Sequence, residues 1–313
     1  MEQNNDIETT VFSNRDIDRF LIGNEFNIEL QWGVTQLFRY MEELDLLEGG
    51  CSFSDLGIAE RRKESFPSIL RPRAGTFVID DNQNNLFNPE STAPGSIAHL
   101  KLSGVMRSDD GMSSRGINSL MRDITVVNQN PNIAGIIIEA NTGGGETRSG
   151  VMLNSAIEGS EKPVIIWAHL LASAGIRGTL ASAEIIASGT GAEFGSIGTF
   201  NSFKKSFADW YNQNFKDIYA TKSGNKNKVF RAFLKGDLNP MIESLDKSND
   251  MFLEEVKQYR PLKGNVEHIL SGELFHAKEA KKFGLIDGIG NLNYAAQRVM
   301  AHVGLRKNQS QNG

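Results

Sequence analysis

Apolar positions follow two rhythms along this chain. From residue 96 to about residue 220, short apolar runs alternate with segments in which apolar residues recur every three or four positions. Ile97 to Met106 (IAHLKLSGVM) reads as a strand, and Ser113 to Asn128 sets Ile117, Leu120, Met121, Ile124 and Val127 on one helical face. Ile133 to Ala140 (IAGIIIEA) is apolar without alternation and rich in β-branched residues, the pattern of a strand covered on both faces. Thr147 to Glu158 follows as a helix, Val164 to Leu170 as a second buried strand, and Ser173 to Ala183 as a helix of small residues. Glu184 to Ser188 and Lys216 to Ala220 complete the set of strands. Such alternation of strand and helix predicts an α/β layered fold built on parallel strands.

The flanks read differently. Phe20 to Leu47 has helix-like spacing and stops at Gly49-Gly50. A basic, proline-bearing stretch (ERRKESFPSILRPR) and a polar stretch from Asp80 to Gly95 follow, the latter with the residues of a linker. Beyond residue 221 come a Lys/Asn-rich loop and a helix with Ile242, Leu245, Phe252 and Val256 on one face. The segment SGELFHAKEAKKFGLIDGIG leads into a last helix, Asn291 to Val303. The expected organisation is a mostly helical N-terminal section over 1–95, a main domain over 96–304 and a frayed polar tail over 305–313.

Composition narrows the function classes. With 313 residues, 39% of them hydrophobic, the chain can bury a sizeable core without covalent staples. Its one cysteine, Cys51, excludes an intrachain disulfide and suits a reducing compartment. A net charge of −5 argues against nucleic acid as a partner. The N-terminus, MEQNNDIETTVF, has neither the basic nor the apolar region of a secretory signal. No apolar run approaches the ~18 residues that span a bilayer. The expectation is a cytoplasmic protein without membrane insertion.

Two features sit at strand ends, where α/β sheets place their sites. Asn141-Thr142-Gly143-Gly144-Gly145 follows the strand IAGIIIEA, and three glycines let the backbone turn and aim N–H groups outward. Outward N–H groups suit an oxyanion hole. A plain turn or a phosphate loop has the same composition, but Glu146 stands where a phosphate loop needs a lysine. Leu171-Ala172-Ser173-Ala174-Gly175 lies between a strand and a helix. Ser173 can there present its hydroxyl to a cleft, or simply cap the helix.

In order and spacing these motifs resemble the signal peptide peptidase A family, within the Clp protease and crotonase fold superfamily. That family's Asn-Ser-Pro-Gly-Gly corresponds to Asn141–Gly145, its Ala-Ser-Gly-Gly to Ala172–Gly175, and its Gly-Ser-Ile-Gly is unchanged at Gly195–Gly198. A later signature matches Ser271-Gly272, Ala277, Ala280 and Gly284-Leu285-Ile286-Asp287. Thr142 and Gly143, in place of serine and proline, are expected to loosen the first turn. The resemblance covers roughly residues 97 to 300. It implies a layered fold of repeated β-β-α units and a serine peptidase domain with Ser173 as nucleophile. It further implies the N–H groups of Gly145 and Ala174 as oxyanion donors, no metal and no cofactor, and a homo-oligomer. The segment Asn225 to Asp237 (NKNKVFRAFLKGD) is closer to phage and prophage members, which implies capsid or scaffold proteins as substrates.

The base is the open question. None of the five histidines lies between Ser173 and His268, and His169 precedes the serine on a strand expected to be buried, so a Ser/His/Asp triad is disfavoured. The resemblance implies a Ser/Lys dyad with the lysine beyond Gly-Ser-Ile-Gly. Lys222, Lys226 and Lys228 lie in that loop. Lys226, 31 residues beyond Gly195, agrees best, and a slip of one or two residues leaves Lys228 open. Three other readings stand beside this one: a bacterial peptidase that degrades signal peptides, a crotonase-type acyl-CoA enzyme that uses the glycine turn without Ser173, and an inactive scaffold of the same fold.

Overall fold

The computed structural model describes residues 26–28, 65–80, 86, 88–110 and 115–311. Most of the helix expected over Phe20 to Leu47 lies outside the described residues; its residues Phe26–Ile28 form a short strand, β1. Two further strands arise before residue 96, β2 (Ser68–Arg73) and β3 (Thr76–Asp80). β4 (Ser96–Ser103), α1 (Ile117–Gln129), β5 (Ile133–Thr142), β6 (Gly144–Glu146), α2 (Thr147–Glu158) and β7 (Val164–Ala172) then alternate as the apolar pattern requires. α3 (Ala174–Thr179), β8 (Glu184–Ala187) and β9 (Glu193–Gly195) follow.

The described residues fall into two compact units. One holds residues 201–243, with α4 (Phe207–Asn214) and α5 (Lys228–Phe233) around a cluster of Phe203, Phe207, Phe230 and Phe233. Residues 216–220, expected as a strand, have no regular structure. Its two charged residues, Lys216 and Asp217, precede Ile218, Tyr219 and Ala220; Ile218 is 89% exposed, and among the described residues no strand pairs with the segment. The other unit holds the sheet and the chain after residue 243: most of α6 (Asn239–Tyr259), α7 (Val266–Ile269), β10 (Leu274–His276), α8 (Ala277–Lys282), β11 (Gly288–Ile289) and α9 (Leu292–Gln311). The polar tail is thus helical as far as Gln311.

The main sheet runs β10-β9-β7-β5-β4-β2-β3, with β8 paired to β7 and β11 to β8. Its centre, β4, β5, β7, β8 and β9, is parallel, while β2, β3 and β10 join antiparallel. The lead section therefore supplies sheet strands, and residue 96 opens a strand already paired to β2. Period-two side chains divide the core into two layers. Ala98, Leu100, Ile136, Ile138, Ile166 and Ala168 face α1, α2 and α6 through Leu120, Ile124, Leu153, Phe252 and Val256. Ile97, Ile137, Ile165 and Ile186 face Ala295, Ala296 and Val299 of α9. Ile136, Ile137 and Ile138 are all fully buried, which explains why β5 shows no alternation. Each such isoleucine contributes about 1.5–3 kcal/mol through burial. The expected α/β layered fold is the observed one.

Candidate active site

Ser173 stands at the end of β7 and opens α3, the buried helix Ala174–Thr179. Its backbone is strained: φ is 54° and ψ is −117°. A serine there costs of order 1–3 kcal/mol unless its surroundings enforce it. They do so from both sides. Ala172 pairs with Gly195 of β9, the Ser173 N–H donates to the Gly195 carbonyl at 2.8 Å, and the Arg177 N–H donates to the Ser173 carbonyl at 3.0 Å. One turn into α3, Arg177 makes a bidentate pair with Glu255 of α6 at 2.6 and 2.7 Å, and its guanidinium lies 5.3 Å from the Phe252 ring centre. The helix that follows the serine is thereby fastened to the core.

The capping alternative for Ser173 finds no support, because its side chain makes no hydrogen bond to the helix N-terminus. The hydroxyl instead points to the Gly198 carbonyl at 3.5 Å, the outer limit of a hydrogen bond. A weakly held hydroxyl on a strained turn suits a nucleophile better than a cap.

The glycine turn meets this serine through Thr142. β5 and β7 pair from Ile136 to Thr142, with a register shift between Ala140 and Asn141 that skips His169, and Thr142 ends opposite Leu171. A Cβ on Gly175 would come within 2.9 Å of Thr142 Cγ2, so only glycine lets α3 approach the end of β5 this closely. Thr142 does not loosen the turn, as its replacement of serine suggested. Its hydroxyl donates to the Gly104 carbonyl at 2.7 Å and accepts from the Gly144 N–H at 3.0 Å, closing the turn from inside. Gly145 lies beside Met106, where a Cβ would stand 2.1 Å from the Met106 carbonyl oxygen. Glu146 then fixes the next segment, accepting from the Ser108 N–H at 2.9 Å and from the Ser108 and Ser149 hydroxyls.

The third motif and the start of the fourth close the same region. Gly195 pairs with Leu274 of β10, and the Ser196 N–H donates to the Glu273 carbonyl at 2.8 Å. Three sequence motifs and the Ser271-Gly272 start of the fourth thus gather near Ser173, whereas Gly284–Asp287 lies by the start of β8, where the Asp287 N–H donates to the Ile185 carbonyl at 2.8 Å. Residues 156–306 match Peptidase family S49. The chain is also 22% identical over 225 residues to Protease 4 of Haemophilus influenzae, a match covering 68% of this chain and 36% of that protein. The chain therefore spans about a third of this relative's length. Among solved structures, ClpP1 from Listeria monocytogenes aligns with a TM-score of 0.40 and 12% identity, over 63% of this chain and 94% of that one. A membrane-bound stomatin-specific protease aligns at 0.42 with 20% identity, over 64% and 83%.

Ser173, Ala174 and Gly145 lie in the unit that contains the sheet, and Lys226 lies in the unit of residues 201–243. Lys226 is exposed, two residues before α5, with Asn227 in the left-handed region at φ 56°. Arg231 shapes this loop by donating to the Gly224 carbonyl and lying 4.7 Å from the Tyr219 ring centre. Lys222 and Lys228 are exposed as well.

His169, on a strand expected to be buried, has a 41% exposed side chain. It lies where β7 exchanges β8 for β9 as its neighbour, so its ring is left at the sheet surface. Its ring contacts Glu139 at 3.2 Å and Ser188 at 2.9 Å. Glu139 also takes Lys101 and the buried His99. Burial alone would raise the Glu139 pKa, but the bonds from His99 and Lys101 and their charge outweigh it and hold it at about 2. Because the folded pKa lies below the ordinary 4.5, this group's stabilisation is complete above pH 4.5 and is lost as pH falls towards 2. Urea midpoints measured across that window should fall more steeply for the wild type than for Glu139→Gln; parallel curves would refute the assignment.

The sequence reading passed over one other lysine, Lys162. Burial pushes its pKa down to about 8. Its ammonium binds the Val127 and Asn130 carbonyls at the end of α1. It precedes β7, and the nine residues of that strand put roughly 30 Å between it and Ser173. It caps a helix and does not serve the serine. Arg177 and Glu255 also went unnoticed, because nothing in the sequence spacing links residues so far apart.

Proposed function

We propose that this chain is a serine peptidase in which Ser173 is the nucleophile, Lys226 the general base, and the N–H groups of Gly145 and Ala174 the oxyanion donors. The observation that carries the reading is the strained, non-capping Ser173, beside the glycine turn of Thr142 and the Gly195–Gly198 motif. The match of residues 156–306 to a peptidase family supports it. In the first step the Ser173 hydroxyl adds to the scissile carbonyl as its proton passes to the lysine amine. The same proton then goes to the departing amine, and water releases the acyl group by the reverse sequence.

A lysine serves as base only when neutral, a state that burial favours. Lys226 is exposed in the single chain. Its cover would come from a second copy or from bound substrate, which motivates the proposal of a homo-oligomer. The resemblance of residues 225–237 to phage members supports capsid or scaffold proteins as substrates, cut inside an assembling shell, in the host cytoplasm or the phage prohead.

A fluorophosphonate probe should label the wild-type chain, and mass analysis should place the label on Ser173. Lys226→Ala should reduce labelling at least ~10²-fold, the lower range for a general base. If Lys226→Ala labels normally and Lys228→Ala does not, the dyad stands with the other lysine. If the wild type resists the probe but turns over an acyl-CoA, the crotonase-type reading replaces this one.

A further inference from the structure

The strand that carries Gly145 already has a partner on its outer edge. β1 pairs antiparallel with β6 in the register Phe26 to Glu146, Asn27 to Gly145 and Ile28 to Gly144. Direction decides which groups this pairing uses. The Met106 N–H donates to the Gly144 carbonyl at 2.8 Å, and the Glu146 N–H donates to the Met106 carbonyl at 2.9 Å. Groups on successive residues of a strand point to opposite edges. The Gly145 N–H and carbonyl therefore face away from Met106, towards Asn27. In an antiparallel pair, residues facing each other in this way exchange both backbone bonds. The amide assigned above as an oxyanion donor is the one that β1 takes up.

Two further observations agree. β1 also lies beside α3, the helix that Ser173 opens. Ser173 itself is only 1% exposed, although a peptidase nucleophile must meet a polypeptide. A polypeptide can join a sheet edge as an added strand, held by main-chain bonds that any sequence can make.

We propose that residues 26–28 act as an intramolecular occupant of the peptide-binding edge of β6, so that this strand holds the site closed until it is displaced. This rests on the peptidase reading for its functional meaning, but the occupancy has a binding readout of its own. The occupant is replaced by a peptide in extended conformation, and Asn27 is the position whose backbone decides between the two. A proline there lacks the N–H that Gly145 accepts and disfavours pairing. Alanine keeps that N–H and leaves the pairing intact.

The test uses the full chain carrying Ser173→Ala, so that no peptide is consumed, and a fluorescein-labelled NEFNIEL peptide, the chain's own residues 24–30. Adding Asn27→Pro should tighten peptide binding by about tenfold, the gain expected when a competing closed state is removed. Asn27→Ala should bind as the parent does. Equal affinity in all three chains overturns the proposal. Hydrogen exchange in the unsubstituted chain provides a readout without mutation. Slow exchange at both Gly145 and Glu146 agrees with β1 in place, whereas fast Gly145 beside slow Glu146 overturns it. In the chain with Ser173 restored, Asn27→Pro should also speed fluorophosphonate labelling by about tenfold. Released peptide binding with Ser173 unlabelled in both chains leaves the occupancy standing and removes the peptidase reading. Unchanged binding with Ser173 labelled equally in both removes the occupancy and keeps the peptidase.

Discussion

Ser173→Ala is expected to lower peptide cleavage by on the order of 10⁶-fold, the scale on which removal of a nucleophilic serine acts elsewhere. The fold should not notice. The Ser173 hydroxyl makes one contact at 3.5 Å, too long to stabilise the chain by much. What the substitution keeps is the strained backbone, φ 54° and ψ −117°. Ser173→Gly separates the two effects. Glycine relieves a strain of order 1–3 kcal/mol and adds about 0.5–1 kcal/mol of unfolded-state entropy. The glycine variant should therefore be at least as stable as the alanine variant, and as inactive. Cleavage assays and urea midpoints on the two chains check both statements. Undiminished turnover by Ser173→Ala would end the serine reading. A glycine variant clearly less stable than alanine would show that no strain is held there.

Much of the architecture was legible because it depends on period. The unbroken run IAGIIIEA could be read as a two-sided strand, since Ile136 and Ile138 pack on one face and Ile137 on the other. Ser173 is singled out by its place between a strand and a helix, which is where it stands, while the role of nucleophile comes from the resemblance alone. What could not be read was anything decided by a distant partner. Residues 216–220 carry Ile218 and Tyr219, residue types common in strands, yet among the described residues no neighbour gives them a ladder. His169 lies on a strand that is buried elsewhere, but it falls where β7 exchanges β8 for β9 and where the pairing with β5 shifts register, both decided by neighbouring strands. Phe26–Ile28 sits in a stretch with helical spacing, but pairing with β6 overrides that local preference. A strand is completed by its neighbour, so a single-chain pattern locates it less surely than it locates a helix.

The second large effect concerns the anchor behind the serine. The two partners are unequally buried: the Arg177 side chain is 3% exposed and that of Glu255 is 30% exposed. Removing the acid leaves a guanidinium in the core with no counter-charge, while removing the base leaves a carboxylate that water can reach. Breaking a buried pair typically costs about 3–5 kcal/mol, mostly through the charge left behind. Glu255→Ala should fall in that range. Arg177→Met, which removes the buried charge and keeps most of the volume, should cost clearly less. Denaturant titration gives both values, and the reverse order would mean that packing on Phe252 matters more than the ion pair. The link to chemistry is that α3 starts at Ser173, whose carbonyl takes the Arg177 N–H. At a temperature where Glu255→Ala is still fully folded, the proposed mechanism expects its kcat to fall while KM stays near the wild-type value, because what moves is Ser173 and not the edge of β6. A variant that is folded, anchored no longer at α3 and yet fully active would show that the strained turn at Ser173 is held by β9 alone.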